Sequence, residues 1–141
     1  MSADLSVETL LENFELLDDW EERYRYVIEL GRNLPPMPDD QKTDSSKVTG
    51  CVSQVWLTAR TEGDPPVMRF TADSDAFIVR GLIAILMVVY DGRPPGDVAA
   101  MDALQVLAQI GLDRHLSPNR RNGLAAMAGR IRAEAAARVS A

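Results

Sequence analysis

The sequence predicts a single α+β domain over residues 1–141, in which a small antiparallel sheet packs against several helices. Apolar residues recur at helical spacing towards both ends of the chain, and a segment between them alternates with period two. No internal repeat or linker divides the chain. A chain of 141 residues that is 46% hydrophobic can also bury a core without disulfides. Helices before and after a short sheet region indicate an α+β fold in which the helices and the sheet form separate layers.

Two helices are predicted before the first proline cluster. Apolar residues fall at helical spacing from Leu10 to Leu17, and Ser6 provides a start signal. A second helix is expected from about Trp20 to Leu34, because the prolines that follow cannot continue it. Residues 35–47 have the composition of turns, and a connection of that length is expected to be either disordered or functional.

An antiparallel hairpin is predicted next. Side chains alternate from Cys51 to Arg60, "TEGDPP" makes a turn, and "VMRFTAD" returns. The expected inner face of the hairpin consists of Ser53, Val55, Leu57 and Ala59 on the first strand and Met68, Phe70 and Ala72 on the second. The segment "SSKV" is a candidate for a further short strand, which would put Gly50 and Cys51 at a loop tip.

The rest of the chain is predicted to be helical. Ser74 and Asp75 are interpreted as the cap and first-turn acid of a helix with the sequence "AFIVRGLIAILMVVY". That helix is apolar on nearly all sides, so we expect it to be buried at the centre with the sheet packed against it. "DGRPPGD" ends it, and two more helices are expected over about 102–110 and 118–139.

The composition excludes several classes of protein. A net charge of −6 argues against a nucleic-acid partner, which needs a basic surface. Eight acids fall in the first 22 residues and six arginines follow from Arg114 onward, an asymmetry that could steer a protein partner or belong to solvated helix faces. The longest apolar stretch is too short for a bilayer, and the N-terminus lacks signal-peptide character. We therefore expect a cytoplasmic protein without a membrane partner.

The chemistry of the chain depends on Cys51, its only cysteine. No phosphate loop, dinucleotide motif or metal-spaced cluster is present, so no cofactor is predicted, and the carboxylates Asp39, Asp40, Asp73 and Asp75 are interpreted as loop or capping acids. A free cysteine is often a buried spacer. However, the preceding Gly50 could let this thiol be exposed by a small backbone change, and Lys47 could favour its thiolate. A lone mobile thiol is suited to accepting one group and handing it on.

Four segments of the chain resemble the SufE family, the sulfur-acceptor proteins of iron–sulfur cluster assembly. "KVTGCVSQVWL" is similar to the cysteine-loop motif of the family. "NFELLDDWEERYRYVIELGRNLPPMP", "DSDAFIVRGLIAILMVVYDGRPP" and "HLSPNRRNGLAAMAGRIRAEAAA" resemble its N-terminal helical pair, central helix and closing segment. The resemblance covers about residues 10–138 and implies a SufE/NifU-like fold.

The resemblance also implies a function. Members of the family accept persulfide sulfur from a pyridoxal-phosphate cysteine desulfurase, stimulate that enzyme and pass the sulfur to an iron–sulfur scaffold complex. Cys51 matches the sulfur-accepting position, Gly50 and Arg120 match partner-binding positions, and the matching motif framework is Ser53, Gln54 and Trp56. Such a carrier needs no cofactor of its own, acts as monomer or dimer, and is not strictly an enzyme.

Two other functions stay open at this stage. A regulatory adaptor would stimulate a desulfurase without carrying sulfur. A thiol hydrolase would need His115, the only histidine, beside Cys51. For the carrier, we expect the resting thiol to turn inward against apolar neighbours, because an exposed thiolate is readily oxidised.

Overall fold

The computed structural model describes residues 6–139, except for the side chain of Asp113. Its helices are α1 (Val7–Glu15), α2 (Trp20–Arg32), α3 (Phe77–Tyr90), α4 (Pro95–Ala100), α5 (Ala103–Gln109), α6 (Leu112–His115) and α7 (Pro118–Val139). Between α2 and α3 lie a 3-10 turn (Asp39–Gln41) and two strands, β1 (Val55–Glu62) and β2 (Val67–Ser74). The predicted α+β architecture is confirmed.

Local capping explains where the first two helices begin. The Ser6 hydroxyl accepts a hydrogen bond of 3.1 Å from the amide of Thr9, as expected for α1. The Asp19 carboxylate caps α2 by accepting from the amide of Glu22 at 2.8 Å. Helix α2 ends at Arg32, two residues before the predicted end at Leu34.

The hairpin forms with the predicted antiparallel pairing, from Val55 opposite Ser74 to Glu62 opposite Val67. Val55, Leu57, Met68 and Ala72 are buried on its inner face, while Phe70 is half-buried. Strand β1 is shorter than predicted, because it begins at Val55 rather than at Cys51. The amide of Gln54 donates to the Asp75 carboxylate at 3.0 Å instead of to a strand, so residues 51–54 form a loop and Ser53 is not a strand residue.

The segment "SSKV" runs antiparallel to β1, although only Lys47 forms a bridge, opposite Trp56. The amide of Val48 donates to the carbonyl of Val55 at 2.8 Å, and the amide of Leu57 donates to the carbonyl of Ser46 at the same distance. These two bonds bring residues 46–48 alongside the hairpin. They also close the loop that carries Cys51.

Helix α3 supplies much of the core, as predicted, with eight buried residues: Val79, Gly81, Leu82, Ile83, Ile85, Leu86, Val89 and Tyr90. Its predicted cap is wrong, because Ala76 occupies the cap position and makes no side-chain cap bond. Ser74 accepts from the amide of Ala76, and Asp75 binds Gln54, so both side chains are used in the turn before the helix.

Helices α2 and α3 approach each other closely enough for backbone contact. A Cβ atom added at Gly81 would lie 2.2 Å from the carbonyl oxygen of Val27, and one at Gly31 would lie 2.6 Å from the amide nitrogen of Gly81. These two glycines are therefore required by packing, although glycine disfavours a helix interior. We call this contact the α2–α3 seam.

Residues 35–47 are held by specific contacts with the rest of the fold. Lys42 pairs with the buried Asp73 at 3.3 Å and lies over the Trp56 ring, 5.2 Å from its centroid. Asp73 also pairs with Arg80 of α3. Asp73 is thus a buried ion-pair residue of β2 that joins residues 35–47 to α3, and not the loop or capping acid that the sequence predicted.

The C-terminal half contains two helices that the sequence analysis missed, α4 and α6. Six and four residues are too few to show a periodic apolar pattern. Helices α5 and α7 lie where they were predicted, and α7 matches the predicted bounds at both ends. Over residues 6–139, none of the helices has the length and apolar character needed to cross a bilayer.

Candidate functional site

The cysteine loop, residues 49–54, connects the strand-like segment 46–48 to β1. The hydrogen bond between Val48 and Val55 closes its base. Gly50 has φ = +90°, a left-handed conformation that side chains disfavour, so glycine is required at this turn. Asp75 holds the end of the loop twice, since its carboxylate accepts from the Gln54 amide and its own amide donates to the Gln54 carbonyl at 3.3 Å.

The Cys51 sulfur points inward, towards the first half of α7. Its S–H group donates to the carbonyl oxygen of Gly123 at 3.5 Å, and the side chain is half-buried. A Cβ atom at Gly123 would lie 3.5 Å from the sulfur, and one at Gly50 would lie 3.2 Å from the Cβ of Ala126. The small residues of α7 therefore leave the space that the cysteine loop occupies. The expected inward orientation of the thiol is observed.

Burial raises the pKa of the Cys51 thiol above its ordinary value. The cause is desolvation, which disfavours the charged thiolate. The suggestion that Lys47 lowers this pKa is therefore wrong for the resting conformation. Lys47 instead takes part in the backbone bridge with Trp56. At rest, the thiol is protected rather than activated.

A cavity of about 250 Å³ opens beside the sulfur. It is lined by the loop residues Cys51, Val52 and Ser53, by Val55, Val79 and Leu82, and by the α7 segment with Ser117, Asn119, Arg120, Gly123, Leu124 and Met127. The structure thus brings three predicted site residues, Cys51, Ser53 and Arg120, to one cavity. It is largely apolar on the core side and polar where α7 begins.

Arg120 lies in the first turn of α7 and is exposed. Ser117 fixes this turn, because its hydroxyl accepts from the Arg120 amide at 3.3 Å and its carbonyl accepts from the Arg121 amide at 2.9 Å. The guanidinium of Arg120 is therefore carried at the rim of the cavity that contains the thiol. A cation in this position can meet a partner that approaches the loop.

The remaining predicted framework residues support the loop from outside the cavity. Gln54 forms the backbone clamp with Asp75, and Trp56 is the β1 residue that faces Lys42 and bridges to Lys47. Gly50 provides the turn described above. Sequence reasoning missed Gly123, although a glycine inside a helical pattern is a signal for close packing.

The structure does not bring Cys51 and His115 together. The imidazole of His115 stacks on the indole of Trp20, with ring centroids 3.6 Å apart. His115 lines a different cavity, and the two cavities share no lining residue. The observed partner of the thiol is a backbone carbonyl, so the geometry gives no support to a Cys–His hydrolase.

Among residues 6–139, leaving aside the side chain of Asp113, no group of three or more His, Cys, Asp or Glu side chains is arranged to hold a metal ion. The described site itself contains a thiol, an arginine and an apolar cavity wall.

Comparison with known proteins identifies the family. The family model of SufE, described as an Fe–S metabolism associated domain, matches residues 8–135. The chain belongs to the SufE family. This membership associates the chain with iron–sulfur metabolism and confirms the resemblance noted in its four motifs.

Two relatives show how far the SufE likeness extends. An uncharacterized SufE-like protein of Rhizobium etli is 51% identical over 138 residues, covering 96% of this chain and 93% of the relative. An uncharacterized SufE-like protein of Rhizobium meliloti is 47% identical over 138 residues, covering 96% of this chain and 99% of the relative. The solution structure of a hypothetical protein from Thermus thermophilus is similar with a TM-score of 0.78 at 23% identity, covering 96% of both chains. This last match shows that the two chains share a fold.

Proposed function

We propose that this SufE-family protein is a sulfur carrier that accepts persulfide sulfur on Cys51 from a pyridoxal-phosphate cysteine desulfurase, stimulates that enzyme and delivers the sulfur to an iron–sulfur scaffold complex. The observation that carries the proposal is the placement of the only thiol on a glycine-containing loop, with its sulfur resting against Gly123 beside a cavity. Family membership supports the iron–sulfur context. The proposed place of action is the cytoplasm.

The transfer is an exchange between a thiolate and a persulfide. The Cys51 thiol first loses its proton, and the thiolate attacks the outer sulfur of the donor persulfide. A bond forms between Cys51 Sγ and that sulfur, while the donor sulfur–sulfur bond breaks and the donor cysteine leaves as a thiolate that takes up a proton. The outer sulfur keeps its oxidation state, so the step needs no oxidant, reductant or cofactor. The same exchange in the scaffold complex discharges Cys51.

The raised pKa of Cys51 separates the resting state from the active one. A desolvated thiol is almost entirely protonated near neutral pH, which slows both oxidation and unproductive exchange. Docking on the desulfurase would move the loop about Gly50 and expose the sulfur. The cost is one weak S–H bond and part of the packing of a small side chain, about 1–3 kcal/mol. Contacts with the partner can offset a cost of that size.

The cavity beside Cys51 can also shelter the loaded form. Its volume of about 250 Å³ greatly exceeds the space that one added sulfur atom requires. A persulfide at Cys51 can therefore turn inward again without displacing α7. Arg120, at the rim, is proposed to contact the desulfurase together with the exposed turn at Gly50.

Mass spectrometry tests the carrier function. The protein is incubated with a cysteine desulfurase and cysteine, and then digested with trypsin without reductant. We expect one added sulfur atom on the peptide of residues 48–60, which contains Cys51. Absence of the added sulfur, while the desulfurase turns over, would overturn the proposal.

The Cys51→Ser variant distinguishes a carrier from an adaptor. A carrier loses stimulation of the desulfurase when its thiol is removed, although it still binds the enzyme. Full stimulation by the Cys51→Ser protein would instead assign the adaptor role. Binding of the variant, measured by calorimetry, shows that any loss of stimulation does not come from failed docking.

A further inference from the structure

A second cavity, of about 550 Å³, opens between the N-terminal helices and the turn from α5 to α6. Three segments line it: the N-terminal helices with Leu11, Phe14, Glu15, Trp20 and Arg23, the end of α5 and the following turn with Gln109, Ile110 and Gly111, and α6 with Arg114 and His115. No residue of the cysteine loop contributes to it. Its size is in the range of small-molecule sites. The sulfur-carrier function does not use it.

One wall of this cavity is a fixed aromatic stack. The rings of Trp20 and His115 lie nearly parallel, at 20°, with centroids 3.6 Å apart. The Tyr24 hydroxyl donates to the carbonyl oxygen of His115, which holds the end of α6 against α2. Gly111 has φ = +77°, and a Cβ atom there would lie 3.1 Å from the Trp20 ring. The backbone turn at Gly111 therefore packs closely against the benzene ring of the indole.

The polar part of the lining is mainly cationic. Two arginines, Arg23 and Arg114, and one carboxylate, Glu15, are its charged side chains, although the whole chain is acidic. Neither arginine forms an ion pair with any described carboxylate. Arg23 lies over the Trp20 ring at 4.9 Å, and its Nε donates to the carbonyl of Leu17 at 3.1 Å. Guanidinium groups without carboxylate partners bind carboxylates and phosphates well.

We propose that this cavity binds a small organic anion that carries a flat ring. The ring stacks on the His115 side of the Trp20–His115 pair, because Arg23 lies over the Trp20 ring and His115 is exposed, and the anionic group is held by Arg23 and Arg114. An apolar floor of Leu11, Phe14 and Ile110 accommodates the ring, and the two guanidiniums select for the charge. The site lies outside the cysteine loop, so the inference is independent of the sulfur-carrier proposal.

Tryptophan fluorescence provides a direct test, because the chain contains two tryptophans. In a Trp56→Phe protein, Trp20 is the only indole. The protein is titrated with adenosine monophosphate and with benzoate, and then with their uncharged counterparts, adenosine and benzamide. We expect a saturable change in Trp20 emission with a Kd below about 1 mM for at least one of the two anions, and binding at least about tenfold weaker for its uncharged counterpart.

Matched variants locate the site. Arg114→Gln should weaken binding of the anion about tenfold, a loss of the size expected for a charged hydrogen bond. Arg23→Gln tests the second guanidinium in the same way. Arg60→Gln, on the hairpin and outside the cavity, should leave the Kd unchanged. In amide NMR spectra of the Trp56→Phe protein, the anion should shift the Gly111 signal and leave Cys51 unmoved.

Three results would overturn the proposal. The first is that neither anion produces a saturable change in Trp20 emission at concentrations up to about ten times the expected Kd. The second is equal binding of the charged and uncharged probes. The third is an Arg114→Gln variant that unfolds at the same urea concentration as its parent and binds the anion equally well. None of these results bears on sulfur transfer, which the peptide of residues 48–60 reports separately.

Discussion

Two close contacts in this molecule involve a glycine, and they differ in what a Cβ atom added at that glycine would meet. At the α2–α3 seam, a Cβ atom at Gly81 would lie 2.2 Å from a backbone carbonyl oxygen. Where the cysteine loop meets α7, a Cβ atom at Gly123 would lie 3.5 Å from a sulfur on a side chain. The seam is rigid because neither backbone can yield, whereas the loop contact is an ordinary van der Waals contact. The packing is therefore tighter at the α2–α3 seam than at the contact between Cys51 and α7.

The polar contacts beside Gly81 and at Cys51 differ in the same way, because Arg80 makes more of them than the Cys51 side chain does. Arg80, one residue from Gly81, pairs with the buried Asp73 and donates to the carbonyls of Gly31 and Leu34. The Cys51 sulfur has a single weak bond, and its neighbour Val52 is 79% exposed. A segment with few buried contacts and weak bonds opens at low free-energy cost. This is the property that a loop needs if it must present a thiol to a partner.

The largest effect is expected at the seam. Gly81→Ala should lower the free energy of unfolding by about 3 kcal/mol, because the added methyl cannot be accommodated between two helix backbones. Urea unfolding measures this change. Gly129→Ala, on α7 with no atom within 4 Å of the added Cβ, should be neutral or slightly stabilising. Similar losses for the two variants would show that the seam is not tight.

The next effect is on the accessibility of the thiol. Gly123→Val places methyl groups against the Cys51 sulfur and should push it outward, which raises the rate of alkylation by iodoacetamide about tenfold. Gly123→Ala, whose methyl meets the sulfur at ordinary contact distance, should change the rate less than about twofold. An unchanged rate for Gly123→Val would mean that α7 does not shelter the thiol.

A third prediction concerns docking and assumes the proposed function. Phe77 is 76% exposed and lies two residues after Asp75, which clamps the cysteine loop, so we expect it to belong to the surface that a desulfurase covers. Phe77→Ser should weaken desulfurase binding about five- to tenfold through the loss of buried apolar area. Leu16→Ser, equally exposed at the end of α1, should have no effect. Equal Kd values for both variants in calorimetry would remove Phe77 from the interface.

The smallest effect is expected in the second half of α7. Burial opposes the ionisation of Glu134, but hydrogen bonds from Arg138 and Arg130 outweigh it and lower its pKa below the ordinary 4.5. These arginines also donate to the carbonyls of Ser45 and Ala59. Glu134→Gln should therefore cost less than about 1 kcal/mol at neutral pH.

The pH dependence checks the cause of that loss. A carboxylate with a lowered folded pKa contributes stability above its unfolded value of 4.5, and this contribution is lost as the pH falls through the folded pKa. The difference between the parent and Glu134→Gln in urea unfolding should therefore shrink below pH 4.5. A difference that is constant with pH would assign the loss to packing instead.

Secondary-structure elements were predicted correctly where a cap, a proline or a periodic apolar pattern marked them in the sequence. Ser6 caps α1, the alternating segment forms the hairpin, and α7 begins at the predicted Pro118, whereas α2 ends two residues before the predicted Leu34. The short helices α4 and α6 were not predicted, because six and four residues are too few to show a periodic apolar pattern. The role of Asp75 was also missed, because a carboxylate beside a helix start can bind either the helix or a neighbouring loop, and only the position of Gln54 decides between them.

The sequence by itself determined the fold class and the family, and its single cysteine, Cys51, left one candidate for the proposed chemistry. Only the tertiary structure decided what surrounds that residue. The carbonyl of Gly123, 72 positions from Cys51, accepts a hydrogen bond from the Cys51 thiol. Trp20 stacks on His115 beside a separate cavity. Periodicity and capping report on neighbours within a few residues, whereas these contacts depend on how helices cross and how closely their backbones approach. Those distances are set by the packed core as a whole.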